Sequence, residues 1–286
     1  LGSLIVVCDG MGGMQGGSVA SQLAVQTILE TVALADKKTN PKTVLIQAIK
    51  NANAAIIEHG QNNPNLRGMG TTATVLLLTP YSALTAYVGD SRIYQLRNGK
   101  KIFRTFDHSM VFEMVKKRII SEEQARLSAQ SNVILKALGV NADVEVEIAE
   151  RPYKKGDRFV LCSDGFWGAM PEEEFVRHLV ESNPIDKILE STANVVESIG
   201  RNSGQEFDNL TAAILEMSNN SILKEKINIT AKIIILVLTV LLLISLVFNI
   251  SMVIQNKTND GLSPEKEQVD SIKNAAQVNT DSTKVK

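Results

Sequence analysis

Two hydrophobic periods alternate along the chain. Val19, Leu23, Ala24, Ile28 and Val32 recur at helical spacing behind Ser18, a side chain suited to cap a helix. Asn40-Pro41 opens a second helix with Val44, Leu45, Ala48, Ile49, Ala52 and Ile56 on one face. The two are expected to be antiparallel neighbours. From Thr71 the period shortens: Thr71 to Thr79 and Ala83 to Val88, rich in Thr, Val and Leu, flank Pro80-Tyr81-Ser82 and predict a hairpin. After Gly89-Asp90-Ser91-Arg92, Ile93 to Arg97 resumes as a strand, and Asn98-Gly99 turns it back on Lys101 to Thr105.

Asp107-His108-Ser109 begins a helical segment, Met110 to Lys117. Residues 118–132 are polar and irregular apart from a short helix expected at Ser121-Glu122-Glu123, and this is the expected mobile flap. Strands return at Val144 to Ile148 and Arg158 to Cys162, helices at Pro171 to Glu181 and Pro184 to Ile199, and a last strand at Asn209 to Glu216. Helices come early and late, with strands between them and at both ends. That order favours an α+β layered fold of mostly antiparallel sheets over a doubly wound parallel sheet.

The pattern changes again near the carboxyl end. The stretch IIILVLTVLLLISLVFNISMVI, from Ile233 to Ile254, carries no charge and has the length that crosses a hydrocarbon core. Residues 232–254 are therefore expected to form one C-terminal transmembrane helix. Lys224, Lys226 and Lys232 precede it and only Lys257 follows closely, so the positive-inside rule puts the preceding domain in the cytoplasm and the tail outside. The division is a globular domain at 1–216, a juxtamembrane linker at 217–231, the span at 232–254, and a polar tail at 255–286 too poor in apolar residues to fold. The chain opens at Leu1 on a strand already under way, as a fragment would.

Composition removes several classes. A formal net charge of −1 over 286 residues gives no electrostatic reason to expect nucleic acid. Cys8 and Cys162 each lie in an apolar run and are read as buried free thiols of a reducing compartment. A dinucleotide fingerprint starting at Gly10 fails at Gln15, and no Gly-Lys-Ser/Thr of a P-loop or Gly-x-Ser-x-Gly elbow is present. His59, His108 and His178 stand in settings that look exposed or structural, and no Cys/His cluster suits zinc.

What remains is a recurring placement of aspartate. Asp9 follows Leu4 to Cys8, Asp90 follows Leu84 to Gly89, Asp164 follows Phe159 to Ser163, and Asp208 stands before Leu210 to Leu215. Each lies at the mouth of an apolar strand. Should those mouths share one edge, the carboxylates converge and repel, and hard cations such as Mg²⁺ or Mn²⁺ would hold them together. A turn or a helix cap explains any one of them alone.

The strings VVCDGMGGMQGGSVAS, GMGTTATVLLL, VGDSRIYQLRNGK, FDHS, VLCSDGFW and DNLTAAIL, in this order, closely resemble the metal-dependent type 2C (PPM) Ser/Thr protein phosphatases in their bacterial form. The resemblance runs from Leu4 to about Leu215. It implies an α-β-β-α sandwich, two packed antiparallel sheets flanked by helices, and hydrolysis of phosphoserine and phosphothreonine in phosphoproteins by a metal-activated water. It implies two Mn²⁺ or Mg²⁺ ions, Asp9 bridging them, the Gly10 carbonyl, Asp164 and Asp208 as further ligands, and Asp90 on a third ion. It places the flap at 118–132 beside the active site. Gly70-Thr71-Thr72 and Arg92 have family counterparts and are read here as structural. Met11 stands where many eukaryotic members have a His, which leaves the general acid unassigned, and the family's phosphate-binding Arg and an acidic pair would lie upstream of Leu1. A membrane-tethered phosphatase is the reading; the alternative is a catalytically inactive scaffold that binds a partner or reports a state at the membrane.

Overall fold

The computed structural model describes residues 1–203 and 208–221. The expected span at 232–254, the linker beyond residue 221 and the tail at 255–286 lie outside the described residues. Among those that are described, no helix is long and apolar enough to cross a membrane.

Ser3–Val7 forms β1 and Gly10–Met11 the short β2, followed by helices α1 (Gly13–Leu34) and α2 (Pro41–Asn62). Strands β3 to β7 are Gly70–Thr71, Ala73–Leu78, Ala83–Val88, Arg92–Arg97 and Lys100–Arg104. Helices α3 (Met110–Lys116) and α4 (Glu122–Arg126) precede β8 (Glu147–Arg151) and β9 (Arg158–Cys162). The one-turn α5 (Asp164–Trp167), then α6 (Glu172–Leu179), α7 (Ile185–Ser203) and β10 (Ala212–Glu216) complete the order.

Two four-stranded antiparallel sheets result, ordered β1-β4-β5-β8 and β10-β9-β6-β7. Their strands are apolar on both faces because each face has its own core. Along β4, Ala73, Val75 and Leu77 pack with Ala24, Ile28, Leu45 and Ile49 of α1 and α2, while Leu76 and Leu78 meet Ile93, Phe159 and Leu161 of the other sheet. Along β9, Phe159 and Leu161 enter that middle layer, and Val160 and Cys162 face Phe175, Leu179 and Ile188 of α6 and α7. The period-2 alternation of a strand thus serves two layers at once, and the sandwich is α-β-β-α.

Most expected elements are present with shifted bounds; the last strand, expected from Asn209, begins at Ala212. Helix α1 begins at Gly13, behind Gly12 in a left-handed conformation, rather than at Ser18. Its first turns are glycine-rich because they press on β2: a Cβ on Gly10 would lie 2.0 Å from the Gly17 carbonyl oxygen. That tertiary contact overrides the poor helix propensity of glycine. The strand expected at Val144 to Ile148 forms instead at Glu147–Arg151. Val144 is buried against α2, and the chain before it is held by Asn53, whose Nδ2 donates to the Asn141 carbonyl at 2.8 Å while its Oδ1 accepts from the Gly139 N–H at 2.7 Å. The flap carries the expected helix, closed by a capping box between Ser121 and Gln124.

Candidate metal centre

Strand register gathers the four aspartates at one end of the sandwich. In the second sheet Arg92, Cys162 and Ala212 stand level, so Asp90, Asp164 and Asp208 lie just beyond the same edge. In the first sheet Val7 pairs with Thr74 and Ala73 with Val88, which brings Asp9 and the Gly89-Asp90 crossover to that edge too.

Each carboxylate is held by its own device. The Asp9 main chain is clamped on both sides: its N–H donates to Thr72 Oγ1 at 2.9 Å, and its carbonyl accepts from Thr72 N–H and Thr71 Oγ1, both at 2.8 Å. Thr72 Oγ1 also shares a 2.8 Å bond with Ser91 Oγ, tying this turn to the Asp90 loop. Gly165 donates its N–H to Asp164 Oδ1 at 2.8 Å, and a Cβ on Gly165 would come within 2.6 Å of the Asn209 carbonyl oxygen, so the Asp164 and Asp208 segments are in close apposition. Asp208 is exposed and accepts from the Asn209 N–H at 2.7 Å. Asp90 is buried, and the Trp167 indole N–H donates to its carbonyl at 3.2 Å.

The electrostatics are those of like charges without a counter-charge. Burial, the charges of Asp164 and Asp208, and a hydrogen bond with Asp164 push the Asp9 carboxyl up to about 7. Burial and then the Asp208 charge raise Asp164, and burial, Asp164 and Asp107 raise Asp90. Among the described residues none of the four forms an ion pair. The neighbouring cation, Arg92, is committed elsewhere: Nε and Nη2 grip Asp107 at 2.8 and 2.7 Å, Nη1 donates to Tyr94 Oη at 3.0 Å, and the guanidinium lies 3.2 Å from the Trp167 ring centroid.

An all-oxygen donor set without Cys or His fits hard divalent cations. Among the described residues no three His, Cys, Asp or Glu side chains are drawn together as the set for a single ion. Hard octahedral ions retain several waters and need only one or two carboxylates each, so the pairwise approach seen here is compatible with them. A cleft of about 900 Å³ opens on this edge, with Asp90, Asp164 and Asp208 at its floor and Leu127, Ser128 and Asn132 of the 118–132 segment in its wall. The expected flap therefore stands beside the site.

A family model described as protein phosphatase 2C matches residues 2–203. The chain belongs to the protein phosphatase 2C family. It is 35% identical over 217 residues to the serine/threonine phosphatase stp of Listeria innocua, covering 74% of this chain and 84% of that protein. The crystal structure of the Mycobacterium tuberculosis serine/threonine phosphatase PstP/Ppp superposes with a TM-score of 0.67 at 29% identity, over 76% of this chain and 88% of that one. The PstP catalytic domain in complex with 2 manganese ions gives 0.60 at 29% identity, over 74% and 86%. The type 2C sandwich implied by the six strings is thus the fold observed, and the relatives named are bacterial.

Within this phosphatase 2C fold, the structure brings all five candidate positions named from the sequence, Asp9, Gly10, Asp90, Asp164 and Asp208, to one edge, which the sequence reading had left conditional. Thr71 and Thr72, read from the sequence as structural, bond the Asp9 main chain, and Arg92, read likewise, bonds Asp107. Asp107, in the cleft wall and bonded to Arg92, was visible only as part of the FDHS string. Trp167 was visible only as the last residue of the VLCSDGFW string.

Proposed function

We propose that the chain is a protein serine/threonine phosphatase that uses Mn²⁺ or Mg²⁺ to hydrolyse phosphoserine and phosphothreonine in phosphoproteins, with water as the attacking group. The observation that carries this is the convergence of Asp9, Asp90, Asp164 and Asp208 on one edge of the sandwich, the last three lining the cleft there, with no cationic side chain paired to them among the described residues. Asp9, the Gly10 carbonyl, Asp164 and Asp208 would hold two ions, and Asp90 a third. Bound there, such ions make water a nucleophile near neutral pH and offset charge on the phosphoryl oxygens. The chain's own residues supply rigidity. Thr71 and Thr72 stop the Asp9 main chain from turning, Gly165 fixes one oxygen of Asp164, and Trp167 pins the Asp90 carbonyl. Such preorganisation means little reorganisation is left to the reacting state. The names of the relatives support the substrate class.

The test is hydrolysis of p-nitrophenyl phosphate and of a phosphothreonine peptide with and without Mn²⁺. Activity should depend on the ion, vanish with EDTA, and fall at least about a hundredfold in Asp164→Asn. Activity that survives chelation or persists in that variant overturns the proposal.

The same reading anchors the chain in a membrane through 232–254, with this domain cytoplasmic. Support comes from the uncharged apolar run and the lysine asymmetry around it. It also comes from the path of the chain: β10 ends at Glu216 opposite Arg158, and Ser221 N–H donates to the Tyr153 carbonyl at 2.8 Å, at the end of the sheets remote from the aspartates. Ser221 thus lies at the end of the sheets away from the cleft. Retention in the membrane pellet after alkaline carbonate extraction is expected, and release would refute the anchor.

A further inference from the structure

We infer that His108, held by Glu147, is a positioning residue that fixes the Gly89-Asp90 loop and couples it to the root of the 118–132 flap. The inference rests on the reading that Asp90 faces a bound cation.

The contact is a two-point clamp. His108 donates its main-chain N–H to the Gly89 carbonyl at 3.0 Å, and Gly89 returns its own N–H to His108 Nδ1 at 3.1 Å. An Nδ1 that accepts must lack a hydrogen, so the ring proton sits on Nε2. Nε2 lies 2.9 Å from Glu147 Oε1 and donates to it. The other oxygen of Glu147 accepts from Tyr87 Oη at 2.5 Å, and the Tyr87 ring stacks on the imidazole with centroids 5.0 Å apart. Both ring nitrogens are thus engaged, and the ring is locked in plane and in tautomer. This is the arrangement by which outer groups orient the residues that hold ions.

Gly89 cannot yield on its other side. Its φ of 111° is closed to most side chains, and a Cβ there would meet Thr72 Cγ2 at 2.7 Å. The residue before Asp90 is therefore trapped between Thr72, which clamps Asp9, and His108. Meanwhile the His108 carbonyl accepts from Leu135 N–H at 2.7 Å, and Ser109 pairs with Ile134 just past the flap. One residue joins the Gly89-Asp90 loop to the stretch that follows the flap.

A histidine serving only to fill the core would leave the metal response unchanged at temperatures well below unfolding. His108→Asn preserves the clamp, since Asn Oδ1 occupies the place of Nδ1 along the side chain; His108→Leu removes it. Both lose the stack on Tyr87 and the bond to Glu147, so the difference between them isolates the bond to Gly89. The chain's single tryptophan, Trp167, bonds the Asp90 carbonyl and reports Mn²⁺ binding by quenching. In the full chain the Mn²⁺ midpoint should rise about fivefold in His108→Leu, the equivalent of one hydrogen bond, and stay within about twofold in His108→Asn. The parallel pair Glu147→Ala and Glu147→Gln, at a partly exposed position that does not endanger folding, should shift the midpoint with Ala more than with Gln. Equal midpoints within each pair overturn the inference.

Amide hydrogen exchange of residues 89–91 in the metal-free chain provides a separate arm. Faster exchange in His108→Leu than in His108→Asn supports the clamp even where no Mn²⁺ response is found, an outcome that would count against the metal reading alone. Equal exchange in the two variants counts against the clamp.

Discussion

Replacing Arg92 with Met tests how Asp107, in the cleft wall, is held. Arg92 is 3% exposed and its partner Asp107 2%. The substitution keeps an apolar stem of similar reach but leaves the Asp107 carboxylate without the two charge-assisted bonds at 2.8 and 2.7 Å. Stranding one member of a buried pair costs about 3–5 kcal/mol, far more than the pair contributes relative to apolar replacements. For a domain of roughly 200 residues each kcal/mol moves the melting temperature by about 2–4 °C, so a fall of roughly 6–20 °C is expected. Adding Asp107→Asn removes the stranded charge and should recover a substantial part of the loss, a coupling of about 1–3 kcal/mol. Thermal unfolding followed by far-UV circular dichroism on wild type, both single variants and the double variant closes the cycle. A drop below about 3 °C in Arg92→Met, or strictly additive single effects, would refute the argument that this ion pair is a mutually dependent unit.

Three further outcomes follow from particular contacts. Gly89→Ala combines a φ of 111° with a Cβ 2.7 Å from Thr72, and should lower the melting temperature by several degrees and weaken Mn²⁺ binding measured by calorimetry; a neutral variant would contradict the trapped loop. Burial works against the charge of Asp157, yet Arg97 at 2.7 Å, the Lys154 N–H and Gln95 outweigh it and hold the carboxyl below its usual range. Its stabilising contribution is therefore fully present above the ordinary carboxylate value of about 4 and lost as pH falls through the lower folded one, so the stability gap between wild type and Asp157→Asn should narrow in acid urea titrations. Cys162 is buried as expected but Cys8 is only half-buried; burial raises the Cys162 thiol, so Cys162 should not react with iodoacetamide at pH 8 until urea unfolds the chain, and prompt labelling at Cys162 in the native protein would show an opened core.

How much was legible in advance depended on how local the cause was. The Asn98-Gly99 turn needs only its own two residues with positive φ, and the Asn40-Pro41 start needs only Asn40 Oδ1 and the Lys42 N–H. Both were readable. The start of α1 was not, because it depends on Gly10 and Gly17 meeting across the strand-to-helix passage. The segment around Val144 misled because its apolar alternation imitates a strand, whereas Asn53, far away in sequence, claims its backbone groups.

The site divides along the same line. The sequence by itself offered the candidate residues, aspartates at strand mouths and a glycine-rich passage after Asp9, since residue type and local period are properties of short stretches. Only the tertiary structure decided that β5 and β6 join different sheets through Asp90, that Thr72 locks Asp9, and that Asp107 and His108 hold Arg92 and Gly89 in turn. Those contacts join residues 15 to 63 positions apart or bridge the two sheets, and no local period encodes them. They exist because burying both faces of two sheets fixes strand register, and register then dictates which side chains meet at the edge.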